Sequence, residues 1–167
     1  LNFTADSLSN EGTVRNSGTT GFALKNFLNK GYVLSNSYYD LSASTPEITF
    51  NQFTNNGLVL SNESLNLKTQ AFNNTGDVIS NHDLSLNTNV FNNAETAKIS
   101  ALKDISLQIQ QDQANNNGLV SAAKNLVIDA KNLTNNHTLQ ANVVDLKVNN
   151  LLNQKDILAA NRVNINA

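Results

Sequence analysis

An asparagine recurs along the chain at nearly regular intervals, each time two residues after an apolar side chain. The repeated asparagines are Asn10, Asn29, Asn55, Asn74, Asn93, Asn116, Asn135 and Asn153. Their positions differ successively by 19, 26, 19, 19, 23, 19 and 18. A unit of this length cannot enclose a hydrophobic core by itself, so it must bury its apolar side chains against neighbouring units.

Apolar residues accompany each asparagine at fixed distances. Two residues before it lie Leu8, Phe27, Phe53, Phe72, Phe91, Ala114, Leu133 and Leu151, and four residues after it lie Val14, Val33, Val59, Val78, Ala97, Val120, Leu139 and Ile157. Alternating pairs such as Leu65/Leu67, Leu84/Leu86 and Leu126/Ile128 precede the next anchor by seven and five residues, and Val163/Ile165 fit the same pattern at the end of the chain. A period of two indicates half-buried strands, and the intervening Asn, Gly, Ser and Asp indicate turns. We therefore expect two or three short strands in each unit.

Stacked units of this kind predict an all-β fold, a right-handed parallel β-helix of about eight coils. Each strand would pair with its equivalents in the coils above and below, about 4.8 Å away. A leucine-rich repeat would show its own leucine spacing, and a β-propeller needs units about twice as long. Residues 1–167 are predicted to form one segment, with irregular coils over 1–52 and regular coils over 53–167.

The repeated asparagines are expected to stack into a ladder, because a carboxamide both donates and accepts hydrogen bonds. Asparagine also tolerates the left-handed backbone conformation that we expect at a coil corner. In five units a glycine follows two residues later, and we expect it to take a positive φ. These glycines are Gly12, Gly31, Gly57, Gly76 and Gly118.

Two coils are longer than the others. The 26-residue interval contains SNSYYDLSASTPEITF (35–50) and, within it, Tyr38, Tyr39 and Asp40. Such an insertion is usually a tolerated loop, and the alternative is a partner-contact surface, since aromatic residues are enriched in binding hot spots. In the 23-residue interval, 99–110 aligns with 120–131, with about two extra residues on each side.

Composition excludes several functions. A net charge of −2 with 14% charged residues argues against nucleic-acid binding, which needs concentrated Lys and Arg. The absence of cysteine excludes a disulfide scaffold and a cysteine-based zinc site. No apolar run is long enough to cross a bilayer, so no transmembrane segment is predicted.

The side chains that could carry chemistry are dispersed. His82 and His137 occupy different positions in their units, so no stacked metal pair is predicted. The nearest approach to a carboxylate cluster, Asp77, Asp83, Glu95 and Asp104, is assigned to unequal repeat positions, whereas β-helix enzymes acting on polysaccharides need clustered carboxylates. We therefore expect no enzyme activity and no catalytic residues, cofactor or metal.

Three stretches resemble a known family: LSNEGTVRN (8–16), FTNNGLVLSNESLNLKTQAF (53–72) and GLVSAAKNLVIDAKNLTNN (118–136). They are similar to the roughly 19-residue repeats of filamentous haemagglutinins, large two-partner-secretion exoproteins of Gram-negative bacteria that include the shafts of contact-dependent growth inhibition proteins. The resemblance covers essentially the whole chain and is closest over 53–167.

The resemblance implies a secreted or cell-surface protein and an internal piece of a longer filament. Its function would be that of a structural or adhesive shaft segment, and its parent would be exported by an outer-membrane transporter. The partner would be a receptor or glycan on a host or neighbouring cell. The alternatives are a receptor-binding module that uses Tyr38, Tyr39 and Asp40 and, less favoured, a carbohydrate-active enzyme. We also expect end-to-end self-association through the coils near Leu1 and Ala167, where strand edges lack a partner.

Overall fold

The computed structural model describes residues 2–17, 21–36, 39–41, 50–110 and 113–167. These residues form strands joined by short turns, with no helix among them. The strands are β1 (Asn2–Asn10), β2 (Thr13–Asn16), β3 (Gly21–Asn29), β4 (Tyr32–Ser35), β5 (Tyr39–Leu41), β6 (Phe50–Asn55), β7 (Leu58–Ser61), β8 (Leu65–Asn74), β9 (Asp77–Ser80), β10 (Leu84–Asn93), β11 (Lys98–Ala101), β12 (Ile105–Ile109), β13 (Ala114–Asn116), β14 (Leu119–Ala122), β15 (Asn125–Asn135), β16 (Leu139–Asn153) and β17 (Ile157–Asn166).

The strands pair in parallel and join equivalent positions of successive turns. Strand β8 pairs along its length with β10, and β10 then pairs with two separate strands, β12 and β13. The short strands β7, β9, β11 and β14 form a second column. Each turn therefore has three strand segments, and the chain is a parallel β-solenoid of about seven turns, which confirms the predicted β-helix fold.

A single core runs along the solenoid axis. Val59, Val78, Leu65, Leu67, Leu84, Leu86, Val120, Leu126 and Ile128, the residues that the repeat predicts to point inward, are all buried. Phe53, Phe72 and Phe91 stack with ring centroids 5.9 and 5.7 Å apart. Stacked aromatic columns of this kind contribute beyond the apolar area they bury.

The last strand is the least covered. Val163 and Ile165 pair in register with Val144 and Leu146, which are completely buried. Val163 is nevertheless 41% exposed and Ile165 50% exposed, since no described turn follows β17. They occupy the inward positions that the repeat assigns to them, on the open face of the last described turn.

One residue is assigned to the wrong repeat position. Ile99, not Ala97, is the register partner of Val78 and Val120. The corner after Asn93 contains two more residues than the corner after Asn74, so a constant distance from the asparagine selects the wrong residue. Ala97 is buried but lies within that longer corner. The alignment of 99–110 with 120–131 is confirmed by the pairings of Ile99 with Val120 and of Ile105 with Leu126.

The longest interval departs from the repeat in a single place. Tyr39 pairs with Leu65, whereas Phe50 pairs with Thr69. Tyr39 and Leu65 are 26 residues apart in the chain, whereas Phe50 and Thr69 are 19 residues apart, the length of a regular turn. All seven extra residues therefore fall between Leu41 and Phe50. The strand Tyr39–Leu41 belongs to the regular solenoid.

Candidate functional site

The eight repeated asparagines form one hydrogen-bonded column. The Nδ2 atom of each donates to Oδ1 of the next, from Asn10 to Asn153, over distances of 2.7 to 3.0 Å. The members between Asn29 and Asn135 are at most 1% exposed. A buried carboxamide is costly unless it is hydrogen-bonded, so each turn satisfies the polar group of its neighbour. We call this column the asparagine ladder.

Three of the ladder amides, those of Asn29, Asn55 and Asn135, also bind the backbone of two turns. Nδ2 of Asn55 lies 3.1 Å from the carbonyl oxygen of Gly57 in its own turn and 3.0 Å from that of Asp77 in the next. Asn29 makes the equivalent contacts with Gly31 and Leu58. The ladder thereby fixes the corner and the stacking of the following turn together.

The predicted backbone conformation of the corners is wrong. Among the described residues, neither an asparagine nor a glycine has a positive φ. The glycines are required for another reason, since a Cβ on Gly31, Gly57 or Gly76 would overlap the carbonyl oxygen of the glycine one turn earlier. A Cβ on Gly12 would meet nothing within 4 Å. Close backbone approach between turns, not a left-handed conformation, therefore favours glycine here.

The predicted contact residues are only partly described. Tyr38 lies outside the described residues, as do the side chains of Tyr39 and Asp40. By register, Tyr39 lies at the position of buried Leu65 and Asp40 at the position of Asn66. Tyr39 is thus part of the repeat and not of an insertion outside it, which corrects that interpretation. The partner-contact role of the three residues stays a prediction.

Two of the acids that the sequence assigns to unequal positions are equivalent. Asp83 and Asp104 directly precede Leu84 and Ile105, which are register partners. The sequence did not reveal this equivalence, because the corner after Asn93 is two residues longer than the corner after Asn74. Oδ1 of Asp83 accepts the backbone N–H of Asp104 at 3.1 Å, and Oδ1 of Asp104 accepts that of Asn125 at 3.0 Å. These carboxylates stabilise a corner by accepting backbone N–H groups.

Three charged or titratable side chains from successive turns, Glu63, His82 and Lys103, lie beside these carboxylates. His82 Nδ1 is 3.0 Å from Nζ of Lys103, and its Nε2 is 3.5 Å from Oε2 of Glu63. The lysine ammonium can only donate, so Nδ1 accepts and Nε2 carries the proton that faces Glu63. His137 lies elsewhere, at the position that glycine holds in other turns, as predicted. Within the described part of the chain, no group of three His, Cys, Asp or Glu side chains could hold a metal ion.

Ion pairs link the first two turns at the surface. Lys25 lies 2.8 Å from Asp6, and Lys30 lies 2.9 Å from Glu11. The hydrogen bond from Lys25, with its charge, lowers the pKa of Asp6 below its ordinary value, and Lys30 lowers the pKa of Glu11 in the same way. Exposed pairs of this type are individually weak.

One corner contains polar atoms without partners. Nδ1 of His137 and Oδ1 of Asn136 are buried and form no hydrogen bond within the described part of the protein. They line a polar cleft with Glu95, Asn117 and Lys155. The carboxylate of Glu95 and the ammonium group of Lys155 thus line the same cleft from different turns.

The outer face of the short-strand column carries an apolar patch that the sequence analysis missed. Tyr32 pairs with Leu58, and Leu34 with Leu60, which in turn pairs with Ile79. All five alternate with buried residues and so point outward; Tyr32 is 54% exposed and the others are partly exposed. We call these residues the outer apolar patch. The register of the short strands, once known, would have revealed it.

The chain was compared with protein-family models, curated proteins and solved structures, and none of them matches it. Among the described residues there is no helix long and apolar enough to span a membrane.

Proposed function

We propose that this chain is a shaft segment of a large bacterial surface exoprotein, of the filamentous haemagglutinin type that its repeats resemble. The observation that carries the proposal is the asparagine ladder, which runs from Asn10 to Asn153 without a missing rung. A ladder of this kind couples every turn to the next, as a stiff rod requires. Such a protein would be secreted or displayed at the cell surface and would hold a binding or toxic tip away from the cell.

Length is the functional quantity of a shaft. Seven turns at about 4.8 Å per turn give a rod of roughly 34 Å. Since Asn55 and Asn74 are equivalent rungs, the block 56–74 is one complete turn of 19 residues. Additional copies of that block should lengthen the rod without changing its cross-section.

The block therefore provides the test. Five extra copies of 56–74 should raise the maximum dimension measured by small-angle X-ray scattering by about 24 Å, with an unchanged cross-sectional radius. Inserting five copies of the ten-residue block 56–65 is the control, since it breaks the register. A particle that grows in cross-section instead would contradict the shaft.

Location is tested separately on the cells that produce the protein. Antibodies against the folded segment should label intact cells or detect the protein in the culture medium. Detection only after the cells are opened would contradict a surface exoprotein.

A receptor-binding module is the second candidate. Its support is the position of the seven extra residues, which lie between two strand segments that are both in register. Repeat proteins frequently carry their binding residues on such insertions. Tyr38, Tyr39 and Asp40 lie just before this segment in the chain.

Deletion of 42–48 tests the second candidate without disturbing the solenoid, because it shortens the longest interval to that of a regular turn. If the segment binds a receptor or glycan, binding to host or neighbouring cells should be lost while the circular dichroism spectrum is unchanged. Retained binding would contradict this candidate and leave the shaft as the proposal.

A further inference from the structure

The longer corner after Asn93 presents a charged side chain at the polar cleft. The backbone N–H of Ala97 donates to the carbonyl oxygen of Ala94 at 3.0 Å and closes a turn. Glu95 lies at the tip of this turn, where it is exposed. The corner after Asn74 connects equivalent strands with two residues fewer, so the solenoid does not require the turn. Its position beside the cleft offers another explanation for the extra residues.

The polar cleft follows this corner over four successive turns. Glu95 lies in the first of them, Asn117 in the second, Asn136 and His137 in the third, and Lys155 in the fourth. Each of these residues comes one or two positions after a ladder asparagine, so the ladder fixes the turn in which it lies. The cavity volume is about 520 Å³, within the range of about 300–1,000 Å³ that is usual for small-molecule sites.

The polar groups of the cleft are poorly satisfied by the chain itself. Neither Glu95 nor Lys155 forms an ion pair within the described residues. Between these two charges, Oδ1 of Asn136 and Nδ1 of His137 are buried and lack a described hydrogen-bond partner. Most buried polar atoms in native proteins have one. A ligand that carries both charges and hydrogen-bonding groups would therefore complement this corner.

We propose that the cleft binds a short peptide of dipeptide length with free termini, its ammonium group at Glu95 and its carboxylate at Lys155. The corners of the two residues are three turns apart, about 14 Å along the axis, and side chains that project straight outward keep this separation. An extended dipeptide spans about 7 Å, and a charge-assisted hydrogen bond of about 2.8 Å at each end extends its reach to about 13 Å. A single amino acid spans only about 3.5 Å and cannot contact both charges.

The middle of the cleft suits the backbone of such a peptide. Oδ1 of Asn117 accepts from Nδ2 of Asn136 at 2.7 Å, and this leaves Nδ2 of Asn117 to donate to a peptide carbonyl. Nδ1 of His137 does not touch solvent, so we expect the imidazole to turn about its Cβ–Cγ bond and present Nδ1 to an N–H group of the peptide. The inference goes beyond the shaft proposal, because binding at one corner does not depend on the length of the rod.

The two histidines of the chain provide a probe and its control. Titration of the whole chain with L-alanyl-L-alanine near neutral pH should shift the imidazole proton resonances of His137 in NMR spectra. Those of His82, which lies at a different corner, should stay unchanged. Because exposed charge contacts are weak, we expect a dissociation constant of about 1–10 mM. No shift of His137 at about 50 mM peptide, or equal shifts of both histidines, would overturn the proposal.

Blocked peptides test the role of each terminus. N-acetyl-alanyl-alanine lacks the ammonium group and alanyl-alanine amide lacks the carboxylate, so each should bind about fivefold more weakly than the free dipeptide. Free alanine should also bind at least about fivefold more weakly, because it reaches only one of the two charges. Equal affinities for the free and the blocked peptides would contradict recognition of the termini.

Substitutions in the cleft test the orientation of the peptide. Glu95→Gln should weaken binding of the free dipeptide about fivefold and should abolish the preference for it over the N-acetylated form. Lys155→Gln should do the same for the amidated form. Asp129→Asn and Lys147→Gln, which change exposed charges outside the cleft, should leave the affinity unchanged, and circular dichroism of each variant excludes unfolding as the cause. A Glu95→Gln protein that still prefers the free ammonium group would contradict the proposed orientation.

Discussion

Nδ2 of Asn74 donates to Oδ1 of Asn93 at 3.0 Å, although 19 residues separate the two asparagines in the chain. Asn74 also accepts from Asn55 at 2.8 Å and is 1% exposed. A single side chain thus connects three turns. The predictions below follow from this arrangement and from the backbone packing around it.

Asn74→Ala should destabilise the protein more than Asn81→Ala. The first removes the acceptor of Asn55 and the donor of Asn93 in the buried ladder, at a cost of about 1–3 kcal/mol. The second removes a surface hydrogen bond from Asn81 to Asn62 and should cost less than about 0.5 kcal/mol. Urea unfolding measures both; equal, near-zero costs would mean that the repeated asparagine does not support the fold.

Leu84→Ala should lower the free energy of unfolding by about 2–4 kcal/mol, as removal of buried methyl groups does. Leu84 is 2% exposed and lies between Leu65 and Ile105 of the adjacent turns, which cannot close the cavity without shifting two strands. Leu102→Ala is the control, because Leu102 is 64% exposed. A loss below about 0.5 kcal/mol for Leu84→Ala would contradict its position in the core.

Gly57→Ala should be destabilising and Gly12→Ala should not. A Cβ on Gly57 would overlap the carbonyl oxygen of Gly31 and approach the backbone of Lys30 within 2.8 Å. The backbone must shift to accept it, which costs about 1–3 kcal/mol. Gly12 holds the same corner position with open space beside it, so thermal melting of the two variants isolates the contact between turns. Similar melting temperatures would contradict it.

Protonation of Asp6 should loosen the link between the first two turns. Its pKa is lowered in the folded protein by Lys25, so its stabilising contribution is present above its ordinary value of 3.8 and is lost as the pH falls through the folded value. NMR titration of the carboxyl should give a lowered midpoint that rises in Lys25→Ala. The midpoint of Glu11, which pairs with Lys30, should stay unchanged in that variant. Identical Asp6 midpoints with and without Lys25 would contradict the ion pair.

The stacking order and the ladder were predictable because both depend only on one anchor and one asparagine recurring in every turn. The asparagine and the anchor before it recur at the same separation in every turn, whatever the intervals between turns. The assignment of Ala97 failed because the longer corner after Asn93 changes the distance to the next strand, and the sequence alone did not reveal where the extra residues lie. The equivalence of Asp83 and Asp104 was missed for the same reason.

The roles of the glycines and of the outer surface depend on contacts between turns. No local pattern shows that the carbonyl of Gly31 approaches Gly57, since the two residues are distant in the chain. Likewise, Leu60 and Ile79 become neighbours only when the register is known. Sequence reasoning therefore identified inward positions well and outward surfaces poorly.

The parallel, in-register stacking of turns is tested most directly by disulfide trapping, because the chain contains no native cysteine. Ser85 and Ser106 are register partners in adjacent turns, at a Cα separation of about 4.8 Å that a disulfide can span. Ser85→Cys combined with Ser106→Cys should form an intramolecular disulfide in the folded monomer. Ser85→Cys combined with Gln108→Cys, two residues out of register and about 8 Å apart, should not. A crosslink in the second pair but not in the first would contradict the stacked register on which the whole account depends.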